Sequence, residues 1–172
     1  MKRALCLTLV LLALAHNALA ELRFRNFDDP DAPQWKESDI ALPAYPQEAN
    51  LREFYVSETT ANRFYIDGST LSVSNDGVVR FVLVVRTSGG ATNITYEGIR
   101  CESREFRLYA SGRQDGTWAN ARKSEWKAIE NKPINRHHAA LSRDLFCPSG
   151  SPISSAEDGR NALKLGKHPN AI

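Results

Sequence analysis

VVRFVLVVR, residues 78 to 86, decides the fold. Val79, Phe81, Leu83 and Val85 fall on one face and Arg80, Val82, Val84 and Arg86 on the other, which is the period of a β-strand. Its centre is apolar on both faces, so both are covered and the strand is central in its sheet. Asn75-Asp76-Gly77 opens it with residues that tolerate positive φ, a hairpin signal, and Ser88-Gly89-Gly90 closes it. Beyond that turn, TNITYEGIRC places Ile94 and Tyr96 on one parity and Ile99 and Cys101 on the other, predicting a β-bulge at Glu97-Gly98. In the next strand Phe106, Leu108 and Ala110 alternate with Glu105, Arg107 and Tyr109. Asp115-Gly116 then turns the chain toward Trp118, and Trp118 and Trp126 flank either a last strand or a strand plus loop.

Upstream, LREFYVS (51 to 57) and RFYID (63 to 67) read as strands, and Asp67-Gly68 as a turn. After Pro133 the pattern becomes helical. Asn135 can cap, Leu141 and Leu145 form an i, i+4 pair, and Pro148 ends the element beyond Cys147. A final helix is predicted from Ser154, with Glu157 completing a capping box, Leu163 and Leu165 as apolar content and Gly166 as the stop. Gly159 inside it costs about 1 kcal/mol relative to alanine. Strands followed by helices, with every link between strands too short for a parallel crossover, predict an α+β fold: a meandering antiparallel sheet with C-terminal helices packed on it.

The N-terminus reads as a secretory signal peptide, residues 1 to 20: Lys2 and Arg3, an apolar run from Ala4 to Ala15, then Ala18-Leu19-Ala20 ahead of Glu21. The run is shorter than the roughly 20 residues of a membrane span, so cleavage after Ala20 and export to the periplasm are expected, with no membrane span. Cys6 lies inside the leader rather than at its cleavage point, which argues against a lipid anchor. Residues 21 to 50 form a Pro-rich arm with an acidic cluster at Asp28, Asp29 and Asp31. They are expected to be extended, with Trp35, Ile40, Leu42 and Tyr45 stitching part of the arm onto the body along a sheet edge. Residues 51 to 172 then form a single domain.

Without Lys2 and Arg3 the 22 basic residues become 20 and balance the 20 acidic ones. No global field steers such a chain to nucleic acid. Loss of Cys6 leaves Cys101 and Cys147, an even pair in an oxidising compartment, and predicts a disulfide. A loop of about 46 residues makes that bridge worth about 4 kcal/mol in the chain-entropy model. A metal site from the two cysteines with His137 and His138 lacks the close ligand spacing of zinc sites, and no cofactor is implied.

His137, His138, Ser142 and Asp144 invite a hydrolase reading, but neighbours in one short helix radiate outward instead of converging, and no nucleophile motif is present. The histidines are expected to be solvated or capping. Asn93-Ile94-Thr95 matches a glycosylation acceptor yet sits in a predicted strand. Glu97, at the expected bulge, is taken to pair with an arginine. Arg80, Arg86, Arg100, Arg104, Arg107 and Arg113 lie on or beside strands, interleaved with Tyr96, Tyr109 and Trp118. On a shared face they could grip an acidic group by bidentate contacts; the plainer reading is a solvent face salted with Glu97, Glu102 and Glu105.

The run from LPAYP through FYVS, the stretch IDGSTLSVSNDGVVRFVLVVRTSGGATNITYEGIRCESREFRLYASGRQDGTW and the ending NRHHAALSRDLFCP together resemble the cryptic neisserial protein family. The match spans about Trp35 to Ile153. The resemblance implies an exported domain of Gram-negative bacteria and brings with it no activity, cofactor or catalytic residue. At the level of pattern, the IDGST, IRC and RLYASGR spacing with a late cysteine is similar to the surface-adhesin protein E group, which implies an antiparallel sheet with helical additions. The expected function is a binding or structural module of the envelope, with Arg80, Arg86, Tyr96, Arg100, Arg104, Arg107, Tyr109 and Trp118 as the binding set and an envelope protein, acidic peptide or glycan as partner. The competing expectations are an adhesin and a periplasmic hydrolase using His137 or His138. Oligomeric state is not legible in the sequence.

Overall fold

The computed structural model describes residues 34–172, so the expected signal peptide, its expected cleavage after Ala20 and the arm up to residue 33 lie outside the described residues. The chain divides into two compact units, Met1–Trp35, of which only Gln34 and Trp35 are described, and Lys36–Ile172. The second unit carries the sheet.

β1 (Leu51–Phe54), β2 (Arg63–Asp67), β3 (Ser72–Val73), β4 (Val78–Arg86), β5 (Thr92–Arg100), β6 (Glu105–Gly112), β7 (Trp118–Asn120) and β8 (Lys127–Ala128) form one sheet. Its order is β1-β2-β4-β5-β6-β7, with β3 on β4 and β8 on β6. Every pairing is antiparallel. This is the α+β meander that the short links require. β4 is central, hydrogen-bonded to β2 and β3 on one side and β5 on the other. The turn before it forms as its residues dictate: Gly77 has φ 75°, and the Asp76 carboxylate accepts from the Val78 N–H.

The two faces of β4 build two cores. On the inner face Val79, Phe81 and Leu83 pack with Phe54, Phe64, Ile66 and Ile99 beneath Leu141, Leu145, Phe146 and Leu163 from the C-terminal helices. The outer face gathers Tyr65, Val82, Val84, Tyr96, Tyr109 and Ala110. The β-bulge lies opposite the expected place: β5 keeps its alternation, and the register shifts because Glu97 faces Leu108 while Tyr96 faces Ala110. The extra residue is therefore Tyr109, on β6. It also explains why Phe106 packs inward while Ala110 packs outward, where simple alternation put them together.

After Pro133, α1 (Arg136–Ala140) continues into a π-helical turn, Leu141–Phe146. Leu141 and Leu145 are buried as their spacing predicts. Asn135 precedes the helix without a side-chain cap bond. The wide turn, closed by Cys147 N–H to Ser142 O, seats Phe146 against Phe81 (5.3 Å between centroids) and brings Cys147 to Cys101. The disulfide forms, with 5.4 Å between the Cα atoms. In α2 (Ala156–Leu165) the cap is one residue later than predicted: Ser155 Oγ accepts from Asp158 N–H, and the Asp158 carboxylate accepts from Ser154. Asp158 plays the part expected of Glu157 because its shorter side chain folds back over the cap, leaving Glu157 to Arg160. Gly166 ends the helix at φ 77°.

Candidate functional site

The arm is tied down by a carboxylate. Residues 34 to 47 have no regular secondary structure, and Ile40 and Leu42 remain exposed. Glu37 makes the attachment: its side chain accepts from Arg80 Nη2 (3.1 Å), Tyr109 Oη (2.6 Å) and Trp126 Nε1 (3.3 Å), and pairs with Arg107 Nη1. Six and eight residues on, Trp118 Nε1–H donates to Pro43 O (2.9 Å), and Tyr45 packs tilted against Trp118 (5.3 Å between centroids) and donates its hydroxyl to Arg113 O (2.6 Å). The contact runs over the outer face of the sheet, and of the expected apolar stitches in the second unit only Tyr45 takes part. Ile40 and Leu42 fail as stitches because the face beneath the arm is already filled by aromatic rings and guanidinium groups.

A glycine makes room for this receptor. Gly98 on β5 lies opposite Arg80 on β4 and Arg107 on β6, so the two arginines flank a position with no side chain. The Tyr109 ring fills that slot, with the Arg80 and Arg107 guanidinium carbons 5.7 and 5.6 Å from its centroid. A Cβ on Gly98 would run into the Tyr109 hydroxyl and come within 2.9 Å of Val78 Cγ1. Sequence pattern offered Gly98 as a bulge signal; its use is close approach.

Arg80 also binds Asp76, at 2.6 Å between Nη2 and Oδ2, with both side chains buried. Burial pushes the Asp76 carboxyl up, but hydrogen bonds from Arg80 and from the Ser38 and Val78 N–H groups outweigh it and hold the pKa at about 2. Burial and the hydrogen bond to Glu37 push the Tyr109 phenol up, so it stays a donor.

Of the eight nominated residues, Arg80, Arg107, Tyr96, Tyr109 and Trp118 come together here, Tyr96 lying 5.3 Å from Tyr109 and 6.4 Å from Trp118. Arg86 shares the face but pairs with Glu48 and lies over Tyr65 (4.8 Å). Arg100 reaches Glu102 at 3.4 Å. Arg104 is elsewhere, in the turn after β5 at φ 53°, lining a cleft of about 350 Å³ beside the disulfide. Glu37, Asp76, Gly98 and Trp126 were not singled out as site residues from sequence. Asp76 had a turn signal and Gly98 a strand-glycine signal, whereas nothing distinguishes Glu37 from the other acids of the arm.

The histidines are neither solvated nor caps. His137 stacks on Phe64 (5.4 Å) and His138 on Phe106 (3.8 Å), because α1 lies on the inner face of the sheet. Glu97 pairs with His138 rather than an arginine, 2.7 Å from Nε2, and accepts from Thr95 Oγ1. Inward alternation on β5 turns Glu97 away from the arginine face. Burial pushes its carboxyl up, but the bonds from His138 and Thr95 prevail and lower it. Burial and the neighbouring His138 lower the His137 pKa to about 4. With Glu97 and His138 only 5% and 4% exposed, this pair is built into the core.

Among the described residues no cluster of His, Cys, Asp and Glu is disposed to hold a metal ion, and no helix is long and apolar enough to cross a membrane. No solved structure matches the chain. A curated relative, cryptic neisserial protein 1 of Neisseria gonorrhoeae (strain ATCC 700825 / FA 1090), is 26% identical over 145 residues, covering 74% of this chain and 71% of the relative. The model of the CNP1-like family matches residues 30–164, and the chain belongs to that family.

Proposed function

We propose that this chain is an exported recognition module of the cell envelope, and that its outer sheet face binds an acidic group through Arg80, Arg107 and Tyr109, bordered by Tyr96 and Trp118. The observation that carries the reading is the convergence of these donors on one carboxylate. Two guanidinium groups and a phenol held on adjacent strands form a preorganised receptor, and charge-assisted bonds of this kind are the strong ones. A side chain on a strand cannot drift as one on a loop can, so the geometry persists whichever carboxylate fills it. The Cys101–Cys147 bridge fits an oxidising compartment and supports export, as do the basic start and small-residue cleavage triplet of the leader.

Titration of the full mature chain with hexaglutamate, followed by tryptophan fluorescence, is expected to saturate and to weaken as salt rises. Arg107→Ala should weaken it roughly tenfold or more. Binding that ignores both salt and Arg107 sinks the recognition reading. Export is checked separately: protein from a periplasmic extract should begin at Glu21, and a chain retaining its leader in the cytoplasm would overturn that part.

A further inference from the structure

The segment that fills the receptor has the form of a bound peptide. Residues 37 to 45 cross the sheet face without joining a strand ladder and hold on at two points: the Glu37 carboxylate with the Ser38 N–H on Asp76, and Pro43 O with the Tyr45 ring on Trp118. Between them Ile40 and Leu42 are exposed, so the middle of the segment adds little grip. The occupant also leaves the receptor incompletely used, since Arg80 Nε is buried and has no acceptor among the described residues. A segment anchored at its ends by side chains can leave without breaking the sheet, and an extended peptide with the same two anchors can take its place.

We infer that this face is a docking groove for an extended peptide carrying a glutamate at one end and a Pro-x-Tyr element about eight residues away, and that residues 37 to 45 occupy it in cis as an internal competitor. The inference rests on the recognition reading and adds its ligand class and its control. The anchor spacing sets the reach, since eight extended residues span at most about 28 Å. A glutamate pairs with both arginines as Glu37 does, and an aromatic ring at the second anchor meets Trp118. A ligand in trans must displace an arm that is already tethered, so its apparent affinity falls in proportion to the fraction of chains that are open.

The test uses the full mature chain as wild type and as the double variant Glu37→Ala/Tyr45→Ala, with a dye-labelled synthetic peptide of residues 34 to 47. The variant should bind the peptide saturably and at least roughly tenfold tighter than wild type. Adding Arg107→Ala, or placing glutamine at the glutamate of the peptide, should remove that gain. Equal binding to wild type and variant, or none to either, overturns the proposal. Should the double variant fail to give native near-UV circular dichroism, Glu37→Gln/Tyr45→Phe keeps the shape of both anchors and is read by the same criteria. Salt-sensitive hexaglutamate binding with equal peptide binding to wild type and variant would leave recognition standing and remove only the competing arm. Loss of both removes the two readings together.

Discussion

Gly98 holds no ligand, yet it sits between Arg80 and Arg107 on the flanking strands, and its missing side chain lets Tyr109 lie between them. Gly98→Ala must push out the Tyr109 hydroxyl and crowd Val78, because its Cβ would run into the first and come within 2.9 Å of Val78 Cγ1. Overpacking of this kind costs about 1 to 3 kcal/mol, and displacing the phenol should also take hexaglutamate binding with it. Chemical denaturation and the fluorescence titration read these separately, and an alanine variant unchanged in both would mean the slot is not used. At His137 burial acts on charge. Its pKa is about 4 in the folded chain against an ordinary 6.5, so the unfolded state takes up the proton first as pH falls. Stability is fully present above 6.5 and declines as pH falls toward 4, with His138 and Glu97 the titratable groups facing the ring. The loss at pH 5 relative to pH 7.5 should be about 1 to 2 kcal/mol, and His137→Gln should remove most of it. A wild-type curve flat over that range would show the ring to be solvated.

At the scale of elements, the order of strands and the place of the helices were legible in the sequence because each rests on a local rule. Alternation on Val79, Phe81, Leu83 and Val85 places the inner core, and the short turns leave only an antiparallel path. What was not legible depends on contacts across the sheet. Nothing local to 105–112 says that Tyr109 is the extra residue; the bulge arises where β6 must pass Gly98 on β5. The π turn is likewise set from outside, by Phe81 and Cys101 waiting for Phe146 and Cys147. Gly159 carried an apparent local cost that tertiary packing explains: α2 lies so close to the sheet layer that a Cβ there would come within 2.6 Å of both Ile153 Cδ1 and Leu71 Cδ2. Of the site, the arginines and aromatics were named from the sequence, which left open whether they share a face because a one-residue shift in register moves a side chain to the other side; the occupant Glu37 was not legible at all, since 43 residues separate it from Arg80.

Across the whole molecule, the sheet and its helical cover meet in one apolar layer centred on β4, pinned at one margin by the disulfide. Phe81 is fully buried in that layer, so Phe81→Ala should cost about 3 to 5 kcal/mol, whereas a loss under about 1 would make the strand peripheral. The bridge works differently, through the unfolded chain. Cys101 and Cys147 are 46 residues apart and enclose β6 to β8 and α1 with its π turn, so opening the bond releases about a quarter of the chain to wander when unfolded. The chain-entropy model puts the loss for Cys101→Ser/Cys147→Ser at about 4 kcal/mol, comparable to much of a small domain's net stability. Mass spectrometry of the purified protein with and without reductant should show the bridge intact, and urea unfolding of the double variant should give a lower midpoint. The arginine face lies on the other side of the sheet from the bridge, so the variant that remains folded in low denaturant should still bind hexaglutamate with its salt dependence intact. A variant that keeps wild-type stability would mean that apolar packing alone holds the helices, and one that folds yet loses binding would show that the two faces are coupled through β5, the strand that ends at Arg100, next to Cys101, and carries Gly98.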